Sequence, residues 1–259
     1  MKDDLLMGIA LFSSALIHGL VGFAFAITAL PLLSLVKSVK FSVPLLSLLS
    51  FVVNLATLLL MKEKEVTKIP LRFFGAIFFG VIIGVYGFKI ASELTLRILL
   101  FLAILSYFIW DVLHHFTGKE EPYVQQINPE MFKSGKALGV AFIVGFLGGI
   151  LYTPGPPIVI YFSLLRLKKD IFKATLQLIF IITALFTIIN HILQGNITKE
   201  TLSSFSINLP IVLLGLYLGQ RLYMRLSTKA FYYLVNIFLF ISAVLLLLKN
   251  NQTGGLIYG

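Results

Sequence analysis

The sequence of 259 residues contains no cysteine and little charge. Without cysteine, disulfide bonds, thiolate catalysis and cysteine-ligated metals are excluded. Only 12% of the residues are charged, whereas ordinary globular proteins have about 25%. Because 58% of the residues are hydrophobic, so few charges cannot solvate a folded surface of this size. Lipid must be the solvent for most of the surface, which predicts a membrane protein.

Sequence motifs of enzymes are also missing. The chain has no HExxH, GxSxG, P-loop or nucleotide-binding fingerprint, and Asp111 and Asp170 lie at the edges of apolar runs, not in a paired motif. We therefore expect no enzymatic activity, no cofactor and no metal site. The net charge of +10 does not indicate nucleic-acid binding, because the basic residues lie in short loops, where the cytoplasmic flanks of membrane helices place them.

Eight apolar runs cover most of the chain. Six of them have about 19–23 residues, the length that crosses a hydrocarbon core of about 30 Å. The other two are too long for one crossing and too short for two. The eight runs lie at 5–36, 41–61, 70–90, 95–113, 137–165, 171–193, 203–223 and 227–248.

Both long runs contain helix-breaking residues near their middles. The first has Gly19, Gly22 and Pro31, and the second has the stretch Tyr-Thr-Pro-Gly-Pro-Pro at 152–157. Proline removes a backbone donor, and glycine permits left-handed turns. Such a break is tolerated in a membrane only where protein or a water-filled cavity satisfies the freed backbone groups. The long runs are therefore either kinked helices or re-entrant hairpins.

The order of one long run followed by three ordinary runs occurs twice, which predicts a duplication. When the two halves are aligned, Gly19 falls on Gly149, and the GxxxG motif that begins at Gly80 falls on the one at Gly215. Small residues at this spacing let membrane helices approach closely. The predicted boundaries are 1–116 for the first repeat, 117–136 for a cytoplasmic linker and 137–259 for the second repeat.

The distribution of basic residues favours re-entrant long runs. With eight full crossings the basic residues divide evenly between the two sides, whereas with two re-entrant runs one side holds about twice as many as the other. Three crossings per half also invert the second half relative to the first, as in many secondary transporters. We expect an all-α polytopic membrane protein of two inverted four-segment repeats, each opening with a re-entrant segment, with both termini outside.

The two broken runs resemble the signatures of a known family. The stretch from Gly19 to Pro31, Gly-Leu-Val-Gly-Phe-Ala-Phe-Ala-Ile-Thr-Ala-Leu-Pro, resembles the first glycine-rich signature of the TauE/SafE sulfite exporter family. The stretch from Gly149 to Tyr161 resembles the second. The resemblance extends over almost the whole chain, and it implies a plasma-membrane carrier of sulfur-containing anions such as sulfite or organosulfonates.

The chain departs from the family pattern at both breaks. Phe-Ala-Phe-Ala at 23–26 stands where the family has a glycine cluster, and Tyr152 and Pro154 stand where glycines are expected. The approach of backbone to a small anion is therefore altered, and the substrate need not be sulfite.

The candidate binding site consists of the turn residues of both breaks and polar residues nearby. Broken helices offer N–H groups and a positive dipole end, which suit an anion; alternatively, the glycines and prolines only kink helices for packing. His18 could couple the substrate to protons or serve as a packing residue, and Asn54 and Gln177 could face the substrate or hydrogen-bond between helices. The candidates are His18, Gly19, Gly22, Phe23, Phe25, Asn54, Tyr152, Thr153, Pro154, Gly155, Pro156 and Gln177.

The sequence thus predicts a secondary transporter of a small sulfur-containing anion. Its partners would be the lipid bilayer, the anion and protons as a coupling ion, and an oligomer is possible. The alternatives are a membrane-embedded enzyme or assembly factor that uses the same place, and a passive anion channel.

Overall fold

The computed structural model describes residues 2–61, 69–116, 129–164 and 169–223, and these residues form helices without any strand. In chain order the α-helices are α1 (Lys2–Val21), α2 (Phe25–Leu33), α3 (Val39–Leu60), α4 (Leu71–Ile90), α5 (Glu93–Phe116), α6 (Gly135–Leu151), α7 (Gly155–Leu164), α8 (Lys169–Leu193) and α9 (Lys199–Tyr223), with a short 3₁₀-helix at Pro129–Phe132.

The helices correspond to the predicted apolar runs. Each long run is divided into two helices, and each ordinary run within the described residues forms one; the run at 227–248 lies outside them. Five helices, α1, α3, α4, α8 and α9, are long and apolar enough to cross a membrane. The predicted all-α, multi-pass membrane protein is confirmed.

The first long run folds into a helical hairpin. α9 runs in the same direction as α1, because Gly8 faces Asn208 while Gly19 faces Gln220. Lys37, which follows α2, forms an ion pair of 3.2 Å with Glu200 in the first turn of α9. The chain therefore rises through α1, reverses at residues 22–24 and returns through α2 to the side where α1 began.

The second long run reverses in the same manner. The Tyr161 hydroxyl in α7 donates a hydrogen bond of 2.6 Å to the carbonyl oxygen of Met131, which precedes α6. In addition, the Phe162 ring packs edge-on against Phe132 at 6.0 Å. Since the end of α7 contacts residues just before the start of α6, both ends of this run lie on one side.

The turn from α2 into α3 is fixed by Glu93, the first residue of α5. Its carboxylate accepts a hydrogen bond of 2.7 Å from the Val39 N–H at the start of α3 and is also bound by Arg97. Ser38 caps the same helix end by accepting from the Phe41 N–H. These contacts satisfy N–H groups that a helix leaves unpaired at its start, and they anchor the first hairpin.

Two glycine-lined crossings hold the hairpins against full-length helices. α1 crosses α9, and α6 crosses α4. A methyl group on Gly19 would lie 2.5 Å from the Leu216 carbonyl oxygen, and one on Gly149 would lie 2.6 Å from that of Val81. Any side chain would therefore push the backbones apart. Between the two crossings, α3 and α8 pack against each other at the centre.

Candidate functional site

The two helix breaks meet at the centre of the protein. A methyl group built on Gly155, at the start of α7, would lie 3.8 Å from the Phe23 carbonyl oxygen and 3.9 Å from Cζ of Phe180. The first break lies at 22–24 and the second at 152–154. The sequence predicts that the turn residues of both breaks form one site, and in the structure the two breaks are in contact.

His18 ties the first break to two neighbouring elements. Its Nδ1 accepts a hydrogen bond of 3.3 Å from the Phe25 N–H, and its Nε2 lies 3.2 Å from the Thr57 hydroxyl oxygen. That hydroxyl already donates to the Val53 carbonyl, so it accepts from His18, and the ring is neutral with its hydrogen on Nε2. In this conformation both ring nitrogens join α1 to α2 and α3.

Residues of α8 hold the first break from the other side. The Gln177 side-chain amide donates a hydrogen bond to the Gly22 carbonyl oxygen, while its own Oε1 is buried without a partner among the described residues. One turn earlier, the methylene chain of Lys173 lies across Gly22, because a methyl group on that glycine would be 2.8 Å from Cε. Gly22 itself has a φ of 88°, which glycine adopts without strain.

At the second break, Tyr152 takes the backbone conformation that usually requires glycine. Tyr152 ends α6 with φ 49° and ψ 43°, in the left-handed region. The N–H groups of Tyr152 and Thr153 both donate to the Leu147 carbonyl oxygen, that of Thr153 at 3.1 Å, and so they satisfy a carbonyl at the end of α6. A bulky residue is uncommon in this region and costs about 1–3 kcal/mol, a strain typical of functional sites.

Three buried hydroxyl groups collect at the second break. They belong to Tyr152, Thr153 and Ser50, and none has a hydrogen-bond partner among the described residues. The Ser50 side chain, from α3, approaches the Tyr152 hydroxyl without forming a hydrogen bond of normal geometry. Asn54 follows one turn later in α3 and is 4% exposed. Hydroxyls and the asparagine amide can donate hydrogen bonds to an anion.

The starts of α2 and α7 differ in their backbone donors. α2 begins Phe-Ala-Ile and presents an N–H at each of these positions, of which that of Phe25 is bound to His18. α7 begins Gly-Pro-Pro, and proline has no N–H. Pro156 and Pro157 therefore cannot contribute a donor to an anion, and at this break the possible donors are the Gly155 N–H and the side-chain hydroxyls.

Apart from His18 and Gly22, whose contacts are given above, the structure divides the predicted candidates into three groups. Tyr152, Thr153, Gln177 and Asn54 are buried polar side chains at or beside the breaks. Phe23, Phe25, Pro154, Gly155 and Pro156 form the apolar and backbone surroundings, with the Phe25 ring edge-on to His18 at 6.4 Å. Gly19 instead faces the backbone of α9, so it serves the helix crossing.

Sequence reasoning missed two residues at the site, Ser50 and Lys173. Ser50 lies one turn before Asn54 on α3, and Lys173 lies one turn before Gln177 on α8. Residues four positions apart share a helix face, so the two predicted residues could have identified both. Among the residues that the structure describes, no group of His, Asp and Glu side chains is suited to hold a metal.

Comparison with known proteins identifies one family. The family model described as Sulfite exporter TauE/SafE matches residues 6–246. No curated protein and no solved structure matches the chain.

Proposed function

Because this chain belongs to the sulfite exporter TauE/SafE family, we propose that it is a secondary transporter of a small sulfur-containing anion, such as sulfite or an organosulfonate. The family is one of membrane transporters and not of enzymes. We place the protein in the plasma membrane, as the resemblance to the family implies, with both termini outside, as the distribution of basic residues favours.

The observation that carries this proposal is the meeting of the two breaks among buried polar groups. The hydroxyls of Ser50, Tyr152 and Thr153 are buried without partners among the described residues. Each such group costs about 1–3 kcal/mol, and buried polar groups are normally paired. An anion bound here would accept hydrogen bonds from the three hydroxyls and offset that cost.

The burial of the site supports a carrier rather than an open channel. Tyr152 and Thr153 are each 1% exposed, and Gln177 is fully buried. A substrate can reach them only when the surrounding helices move. We propose that the two hairpins, each fixed to a full-length helix of the other half, are the units that move, as in transporters built from inverted repeats.

Protons are the proposed coupling ion, and His18 is the candidate to carry them. In the described conformation Nδ1 accepts from the Phe25 N–H. A proton on Nδ1 would place two donors against each other and loosen the start of α2. Sulfite flux driven by an imposed pH gradient, measured in wild type and in His18→Gln, tests this coupling.

Counterflow in proteoliposomes tests the transport proposal. Vesicles loaded with unlabelled sulfite should transiently accumulate labelled sulfite, and the initial rate should saturate with concentration. Organosulfonates should compete, whereas small cations of similar size should not. Flux without saturation or counterflow would favour the passive channel, and the absence of movement for every sulfur-containing anion would contradict the proposal.

A further inference from the structure

Lys173 lies at the first break, in the second turn of α8. A methyl group on Gly22 would lie 2.8 Å from Cε of Lys173 and 3.3 Å from both Cγ and Cδ, so the methylene chain runs directly across the glycine. A side chain at position 22 would displace it. Gly22 therefore serves the reversal of the chain and also makes room for this lysine.

The surroundings of Lys173 are those of an anion site. One turn further along α8, the Gln177 side-chain amide donates a hydrogen bond to the Gly22 carbonyl oxygen and so holds the first break beside Lys173. The start of α2 follows Gly22 by three residues and contributes the positive end of a helix dipole. The ammonium group is close enough to act electrostatically on His18. The positive end of the α2 dipole and the charge of Lys173 therefore both lie at the first break.

The second break has no equivalent charge. When the halves are aligned through their long runs, Lys173 falls on Val43 and Gly22 falls on Tyr152. The halves therefore contribute different chemistry, a cation at the first break and hydroxyl groups at the second.

We propose that Lys173 is the charged substrate-binding residue of the transporter, and that it pairs with the anionic oxygens of the substrate at the first break while the hydroxyls of the second break bind the remaining oxygens. This inference rests on the proposed transport function. If Lys173 has this role, the first break recognises the net negative charge of the substrate and not its sulfur atom.

Substitution of Lys173 tests the proposal. Lys173→Gln removes the charge but keeps a polar chain, and it should raise the KM for sulfite counterflow by about tenfold or more, since charge-assisted hydrogen bonds are the stronger class. Lys173→Arg should keep the KM within about threefold of wild type, because it preserves the charge. Lys136→Gln removes an exposed charge from the start of α6, and its KM should not change.

A binding measurement covers the case in which a variant transports poorly for another reason. Sulfite should raise the thermal unfolding temperature of purified wild type and Lys173→Arg, but not that of Lys173→Gln, with sodium chloride of equal ionic strength as the control. If Lys173→Gln retains the wild-type KM and the wild-type stabilisation by sulfite, the Lys173 inference is wrong while transport stands. If wild type shows no counterflow of any anion, the transport proposal itself fails.

Discussion

At the scale of single residues, the two breaks meet the same backbone requirement with different side chains. Gly22 and Tyr152 both have a positive φ, at 88° and 49°, and they occupy aligned positions of the two halves. Glycine does this without cost, whereas tyrosine is strained. The strained residue also carries a hydroxyl that has no partner among the described residues. Because both the backbone strain and the unpaired hydroxyl of Tyr152 destabilise the fold, this residue is best explained by a function.

Tyr152→Phe should separate function from stability. Because the hydroxyl makes no hydrogen bond in the described structure, its removal should leave the thermal unfolding temperature unchanged or raise it. The affinity for the anion should fall several-fold, since a donor is lost. Thermal unfolding in detergent and the KM of sulfite counterflow measure the two effects.

Tyr161→Phe is the matched control for that variant. The Tyr161 hydroxyl donates 2.6 Å to the Met131 carbonyl oxygen, so its loss should cost about 0.5–1.5 kcal/mol of stability with little change in KM. A Tyr152→Phe variant that unfolds at lower temperature and binds sulfite normally would assign the hydroxyl to the fold instead of the substrate.

At the scale of helices, the two crossings use corresponding contacts. Gly19 lies against Leu216 and Gln220 of α9, and Gly149 lies against Val81 and Val85 of α4. These partners fall on each other when the halves are aligned. The first hairpin thus packs on a helix of the second half, and the second hairpin on a helix of the first, which supports the proposed duplication and inversion.

Gly145→Ala and Gly139→Ala, both in α6, test the importance of the close approach. A methyl group on Gly145 would collide with the Ile77 carbonyl oxygen, whereas one on Gly139 would meet nothing within 4 Å. Gly145→Ala should cost about 1–3 kcal/mol because the backbones must separate, while Gly139→Ala should be neutral or stabilising. Thermal unfolding of the two purified variants compares them directly, and equal stability would refute a tight α4–α6 crossing.

The sequence predicted the elements better than their contacts. Charge-free length located the helices, and Gly22 and the Thr-Pro pair at 153–154 located the breaks, because these properties are local. The positions of Lys173 and Ser50 depend on which faces of α8 and α3 turn toward the breaks, and that is decided by packing between distant segments. Lys173 lies within the predicted run at 171–193, but its position in that run does not indicate which face of α8 turns toward the first break.

At the scale of the whole molecule, the hairpins determine on which side each loop lies. Because the chain has no cysteine, single cysteines can report the side of the membrane without background. Lys40→Cys and Lys199→Cys should be labelled from one face by an impermeant thiol reagent, and Lys136→Cys from the other. Asp3→Cys, before the first hairpin, should be labelled from the same face as Lys40→Cys, and labelling of these two variants from opposite faces would contradict the re-entrant first hairpin.

The central site is formed by residues from both halves, because the two hairpins meet there. Thr153 comes from the second break, Gln177 reaches the first break from α8, and Ser50 reaches the second break from α3. Neither half alone contains the complete set of polar groups. Transport should therefore depend on both breaks at once.

The most direct test of this account is sulfite counterflow in proteoliposomes containing Thr153→Val, Gln177→Met or the control Ser206→Ala, each first shown to be folded by thermal unfolding. Thr153 and Gln177 belong to opposite sides of the site, whereas the Ser206 hydroxyl is exposed and bonds only within α9. The account predicts that counterflow falls in both site variants, by about tenfold for the loss of one or two buried hydrogen bonds, and is unchanged in the control. Wild-type counterflow in either folded site variant would contradict it.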